Sequence, residues 1–225
     1  MRVADMNWMQ MESYLERDDR IVLPLGSTEQ HAYLSLATDS ILAERVSVEA
    51  AQPLAVPVLP ALAYGVTPNF SSFPCSPSVR LDTYLSFVSE LLDSLRAQGF
   101  RRLLLVNGHG GNSPVESLAR DGVVLHNWWK SPRTWAVVQQ TDADASHASW
   151  MENFPWTRLA DVVVPPGKKL PAALDSSDPA AIRALLGDGS FGGYWQRPDD
   201  ELARLWLTGV EETREVLANL PHAAH

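Results

Sequence analysis

The sequence predicts an α/β fold, a parallel or mixed sheet with helices on both faces. Three observations carry that reading. Two short runs, Ile21-Val22-Leu23-Pro24-Leu25 and Leu103-Leu104-Leu105-Val106, are apolar throughout, the pattern of strands buried on both faces. Segments with helical spacing alternate with such runs, the order of βαβ units. The second run stops in Asn107-Gly108-His109-Gly110-Gly111-Asn112. Glycines there let the backbone turn sharply and leave room beside the imidazole. The carboxyl edge of an open α/β sheet is also where ligands bind.

Each element follows in order. Trp8, Met9, Met11, Tyr14 and Leu15 predict an amphipathic helix within 6–19. Residues 20–25 form the first strand. Thr38-Asp39 offers an N-cap for a helix over 38–52. Ala55 to Pro60 reads as a short second strand at a position tolerant of proline. The loop from Tyr64 to Ser78 is long enough to expect a function. Residues 82–98 form a helix with Tyr84, Leu85, Val88, Leu91, Leu92 and Leu95 on one face and Gly99 at its stop. After strand 103–106 a helix begins near Ser113, with Pro114 at its first position. Val123 to His126 and Thr134 to Val138 are further strand candidates, and Val162 to Val164 a late one. Residues 165–200 read as irregular cover, before a last helix over about 198–219. The 225 residues suit one domain over 1–225.

Composition narrows the function. Hydrophobic residues are 45% and charged residues 20%, ordinary for a globular chain. A net charge of -9 argues against nucleic acid, because no basic surplus exists to neutralise phosphates. The single cysteine, Cys75, excludes an intrachain disulfide and fits a reducing compartment. No apolar stretch approaches the roughly 20 residues of a membrane helix, and the first residues lack a signal-peptide pattern. The expectation is a soluble cytoplasmic protein acting on a small molecule, with neither membrane nor nucleic acid as partner.

The chemistry-bearing residues gather at predicted strand ends. Glu29, His31 and Asp39 follow the first strand, and His109 sits in the glycine turn. Glu152, with His147 before it, lies further on. A hydrolytic divalent-metal site needs carboxylates and neutral imidazoles converging around an open position. Glu29, His31, Asp39, His109 and Glu152 fit that demand by type, and a carboxylate such as Asp39 can bridge two ions about 3.5–4 Å apart. Oxygen and nitrogen ligands without thiolate suit zinc, manganese or iron(II). Singly, each has a simpler role: Glu29 a solvated loop carboxylate, His31 a satisfied buried histidine, Asp39 a helix cap, His109 a structural hydrogen-bonder. Their alignment at consecutive strand ends favours a joint one. On a helix, His147 and Glu152 would not share a face. Trp128, Trp129, Trp135, Trp150 and Trp156 read mainly as packing, with a few available to wall a pocket.

From about residue 20 to 160 the chain resembles the creatininase (creatinine amidohydrolase) family. Gly26-Ser27-Thr28-Glu29-Gln30-His31 running into Leu34-Ser35-Leu36-Ala37-Thr38-Asp39 is similar to its first motif. Asn107 to Asn112 matches its Asn-Gly-His-Gly-Gly-Asn turn, Phe73-Pro74 its Phe-Pro-Gly-Thr turn, and His147 to Glu152 its His-Ala-x-x-x-Glu. The resemblance implies a three-layer α/β/α sandwich around a mostly parallel sheet, two divalent ions (Zn, Mn or Fe) and a homo-oligomer, often a hexamer. It implies Glu29, Asp39 and His109 at one ion, and His31, Asp39 and Glu152 at the other. Creatininase itself has its last ligand two residues after the turn histidine, where this chain has Gly111; Glu152 is the substitute. His147 is then the candidate proton shuttle, and Glu152, as a ligating carboxylate, the second catalytic candidate. The departures lie on the substrate side: His31-Ala32-Tyr33-Leu34-Ser35 replaces His-Gly-Pro-His-Leu-Pro, and Ser149-Trp150 replaces Gly-Glu. The expected function is hydrolysis of a small cyclic amide by a metal-activated water. Ring opening of a cyclic keto-sugar or diketone, formamide hydrolysis, and non-catalytic metal or ligand binding on the same scaffold are the alternatives.

Overall fold

Alternation along three strands decides which side of the sheet each side chain serves. A computed structural model describes residues 1–221. In it β1 (Arg20–Leu25), β2 (Arg102–Asn107) and β3 (Val123–Asn127) form one parallel sheet in that order. The helices are α1 (Trp8–Leu15), α2 (Thr38–Ala51), α3 (Leu81–Ala97), α4 (Pro132–Thr141), α5 (Pro179–Leu186) and α6 (Asp199–Ala218). Val22, Leu104 and Val106 pack with buried residues of α2, α4 and α6. Ile21, Leu23, Leu25, Leu103 and Leu105 face the other way, into a cluster shared with Tyr14 of α1 and Tyr84, Val88 and Leu92 of α3. The period-2 pleat thus feeds two cores, giving helix, sheet and helix layers. Truncating one of these leucines to alanine would cost about 2–5 kcal/mol.

The stretch 55–60 is not a strand. Val58 and Leu62 make only isolated parallel bridges to β1. Pro57 and Pro60 carry no N–H, so the ladder cannot continue past a few bonds such as Leu59 N–H to the Val22 carbonyl, 2.9 Å.

Residues 134–138 are helical, inside α4. Pro132 stands at its first turn, and the Glu212 carboxylate accepts from the Arg133 and Thr134 amides at 2.9 and 2.7 Å. A cap supplied from α6, far along the chain, leaves no local trace. Val162–Val164 is also not a strand; Val163 is 86% exposed, with no core to enter.

The segment 165–200 is more regular than expected. It contains α5, capped by Asp178 and ended by Gly187, and a two-residue antiparallel pair, β4 (Lys168–Lys169) with β5 (Gly193–Tyr194). The helix expected near Ser113 is a 3-10 helix, Gly110–Leu118, with Pro114 inside it. At α2 the cap position is Ala37, with no side-chain cap; the Thr38 hydroxyl donates to the Ser35 carbonyl instead. No helix of the described residues is long and apolar enough to cross a membrane.

Candidate metal centre

The carboxyl ends of β1 and β2 and the first turn of α2 converge at one point. Gly108 makes that approach possible: a Cβ there would lie 2.7 Å from the Asp39 carbonyl oxygen. Glu29, His31 and Asp39 are only 1%, 1% and 2% exposed, which rules out a solvated-loop role for Glu29. Asp39 does not cap α2; its first-turn position suits an anion, and its two oxygens face two different histidines. Oδ1 lies 3.1 Å from His31 Nε2, and Oδ2 lies 3.0 Å from His109 Nδ1. The Ser27 hydroxyl donates to Oδ2 at 2.7 Å. Glu29 Oε1 is 3.3 Å from His109 Nδ1, and Glu152 Oε2 is 4.0 Å from His31 Nε2.

Backbone carbonyls hold the two imidazoles from behind. His31 Nδ1–H donates to the Glu29 carbonyl at 3.1 Å, and His109 Nε2–H donates to the Val66 carbonyl at 2.9 Å. Each bond fixes a tautomer that presents the opposite ring nitrogen to the carboxylates, as ligand histidines require. Gly111 belongs to this arrangement, because a Cβ there would overlap the Val66 carbonyl oxygen.

His147 and Glu152 do meet at the site. The chain between them is an irregular turn into a three-residue 3-10 helix, not the regular helix that would separate them. Glu152 Oε2 accepts from the Ala148 amide at 2.6 Å. The His147 ring stacks on Phe70, centroids 4.7 Å apart and 21° from parallel, and Phe191 packs beside it at 5.0 Å. Its Nδ1 is 3.7 Å from Glu29 Oε1, and its Nε2 meets Gln30.

The electrostatics are those of a site that attracts cations. Burial opposes a charge on His31, yet Asp39, with Glu152 and Glu29 behind it, holds its pKa up at about 10. Burial likewise opposes charge on His109, and its bonds to Asp39 and Glu29 outweigh that. Burial works against ionising Asp39, but His31 and His109 keep it far below the usual carboxylate range. Glu29 is lowered too: burial opposes, and the hydrogen bond from His109 prevails. Burial lifts Glu152 to about 7 against the pull of His31, and lowers His147 to about 4, with His31 adding repulsion. A divalent cation can displace the protons these carboxylates hold on the imidazoles. Three sets of ligand atoms lie within 4.8 Å of one another: Glu29–Asp39–His109, His31–Asp39–Glu152 and Glu29–His31–His147. Glu29 Oε2 is buried without a hydrogen-bond partner, as expected of an oxygen reserved for an ion. The donor set therefore fits divalent metal.

Glu29, Asp39, His109, His147 and Glu152 form the floor of a cavity of about 570 Å³, within the range that holds a small organic ligand. Its walls are Val66 to Phe70, Trp129, Lys130, Trp135, Met151 and Phe191. Two of the five tryptophans thus line it. Trp128 and Trp150 are core, and Trp156 stacks on Phe154. His126 lies away from the cavity, bonded to Thr213 at 3.0 Å, and Tyr33 lines a separate depression with Arg158 and Arg197. Nothing in the residues themselves marks the Val66 carbonyl, Lys130 or Phe191 as groups of this cavity. Gln30 was noticeable only by standing between Glu29 and His31, and Phe70 only by lying in the long loop.

A family model described as creatinine amidohydrolase matches residues 4–190, further in both directions than the motifs reach. The chain is 28% identical over 159 residues to the creatinine amidohydrolase of Pseudomonas putida, covering 61% of each. It is 33% identical over 139 residues to the mycofactocin precursor peptide peptidase of Mycolicibacterium smegmatis, covering 59% of this chain and 54% of that one. The chain thus spans less than two thirds of the length of either relative. The crystal structure of a creatininase shares the fold, with a TM-score of 0.77, 23% identity and 98% of each chain covered. Manganese and zinc–zinc forms of creatininase are among the similar structures. A match across most of its length shows that the chain belongs to the creatininase family.

Proposed function

We propose that this protein is a metal-dependent hydrolase of a small amide. The observation that carries the reading is the pair of ligand sets, Glu29–Asp39–His109 and His31–Asp39–Glu152, joined at Asp39 on the cavity floor. Those residues would hold two divalent ions, zinc, manganese or iron. Bound there, such ions supply a water made acidic near neutral pH and a Lewis acid for the carbonyl.

The chain's own groups do the rest. Adding water across an amide requires a proton to reach the departing nitrogen, and His147 is placed to carry it. Burial keeps its ring neutral, with a pKa near 4, so it starts as an acceptor. Gln30 offers the His147 Nε2 both its backbone carbonyl at 3.0 Å and its side-chain N–H at 2.8 Å. That amide is fixed by donating to the Gly189 carbonyl and accepting from Ala32 N–H. Nε2 therefore has a partner whether or not it is protonated, and Nδ1, on the Glu29 side, can take a proton and release it. Phe70 and Phe191 keep bulk water from this ring.

We also place the protein in the cytoplasm, whose reducing conditions suit a chain with a single cysteine, and expect a homo-oligomer there. Light scattering should then give a multiple of 24.8 kDa.

The test of the hydrolase reading is a screen of zinc- or manganese-loaded protein against cyclic amides, formamides, N-acyl amino acids and cyclic diketones. Turnover of an amide is expected. Glu29→Ala and His109→Ala should each lower kcat/KM by at least about 100-fold, more than is lost when a group supporting a ligand is removed, with the circular dichroism spectrum kept. Failure to retain metal, or wild-type turnover in both variants, would overturn the reading.

A further inference from the structure

The acidic and imidazole floor explains only one end of the cavity. The other end has a different chemistry. Phe70, Phe191, Met151, Trp129 and Trp135 give it an apolar wall built largely of flat rings. Lys130 is the only lysine or arginine among the lining residues. It is exposed while the floor is buried, so it stands at the outer rim. Its Nζ rests over the Trp129 ring, 4.6 Å from the centroid, and it forms no ion pair among the described residues. Most other basic side chains around the molecule are paired with carboxylates, among them Arg20, Arg102, Arg158, Lys168, Lys169 and Arg197. An unpaired ammonium facing a cavity in a chain of net charge -9 is therefore conspicuous.

From these contacts we infer that the substrate is an amide carrying a carboxylate on a flat or apolar body, the class of N-acyl aromatic amino acids and peptide C-termini. This rests on the hydrolase reading and narrows it. The amide lies toward the floor, the apolar body against the rings, and the carboxylate meets Lys130 at the rim. Hydrolysis of its C–N bond consumes one water: the acyl carbon gains the hydroxyl, and the nitrogen gains the proton and leaves as the amine. Lys130 is thus a specificity-determining residue. It contributes by Coulomb attraction to the substrate anion, and this attraction weakens with salt.

The test is a pair of ligands that differ only in that charge, N-acetylphenylalanine and N-acetylphenylalanine amide. Both are titrated into the metal-loaded protein and followed by calorimetry and by quenching of tryptophan fluorescence. The wild type should bind the carboxylate about fivefold more tightly than the neutral amide, the scale of one exposed ion pair. Lys130→Met should abolish that preference, read as the ratio of the two ligands' Kd values, and Lys130→Glu should reverse it. Equal binding of the two ligands by the wild type, or binding of neither, would overturn the proposal. So would a preference that survives in Lys130→Met, because the carboxylate would then be held by the floor. The readout is binding, so absence of turnover would refute the hydrolase reading and leave this outcome separately legible.

Discussion

At Asp39 one carboxylate serves two histidines, and each histidine is held from behind by a backbone carbonyl. Precision at this site therefore depends on small groups that ligate nothing. Gly111→Ala places a methyl group where the Val66 carbonyl oxygen sits. It should weaken metal binding by about 10–100-fold, measured by competition with a chromophoric chelator, while helix content stays constant; unchanged affinity would refute this account of the glycine. A second residue-scale prediction concerns His126. Burial lowers its pKa from 6.5 to about 4, with Glu212 only partly offsetting it. The folded state thus binds its proton less readily than the unfolded chain. Its contribution to stability is complete above pH 6.5 and is lost as pH falls through about 4. At about 1.4 kcal/mol per pH unit the loss is about 3 kcal/mol. Urea denaturation at pH 7 and at pH 4 should show a smaller acid loss in His126→Asn than in the wild type. Equal losses would mean that the carboxylates alone set the acid limit.

Among the elements, α4 depends most on a distant partner. Glu212 of α6 accepts from two amides and the hydroxyl at the start of α4. Burial opposes its ionisation, but the bond from the Thr134 hydroxyl and those from the amides keep it below the usual carboxylate range. Glu212→Ala should cost about 2–3 kcal/mol, seen as a lower urea midpoint; a change below about 0.5 kcal/mol would remove the cap from the account. The same contact shows where the sequence was legible. β1, β2, β3, α2, α3 and α6 announced themselves, because a buried strand or an amphipathic helix is written in its own residues. The residues of α4 predict a strand, because the start of the helix is fixed by a carboxylate 78–79 residues further along the chain. Asp178-Pro179 and Gly187 bracket α5, a local signal that the surrounding prolines and glycines obscure. The metal-binding floor was legible because its donors cluster in glycine-bounded turns. The walls were not, because Lys130 and Phe191 reach the cavity only through tertiary packing.

For the molecule as a whole, metal and stability should be linked. Three carboxylates buried near one another repel unless cations lie between them. Each ion present at about 1,000 times its Kd would stabilise the fold by about 4 kcal/mol, or about 8–16 °C in Tm for a chain of this size. Scanning fluorimetry with and without a chelator should show that difference, and a Tm indifferent to chelation would argue against ions on this floor. His109 is tied by a hydrogen bond to the Val66 carbonyl. Val66 leads directly into the loop that carries Thr67 and Phe70, so this loop behaves as a strut rather than a flap. It cannot swing away without releasing an imidazole. Protease nicking between residues 64 and 78 and escape of the ions should therefore begin at the same temperature, and occupancy by the cation should protect the peptide bonds of that segment.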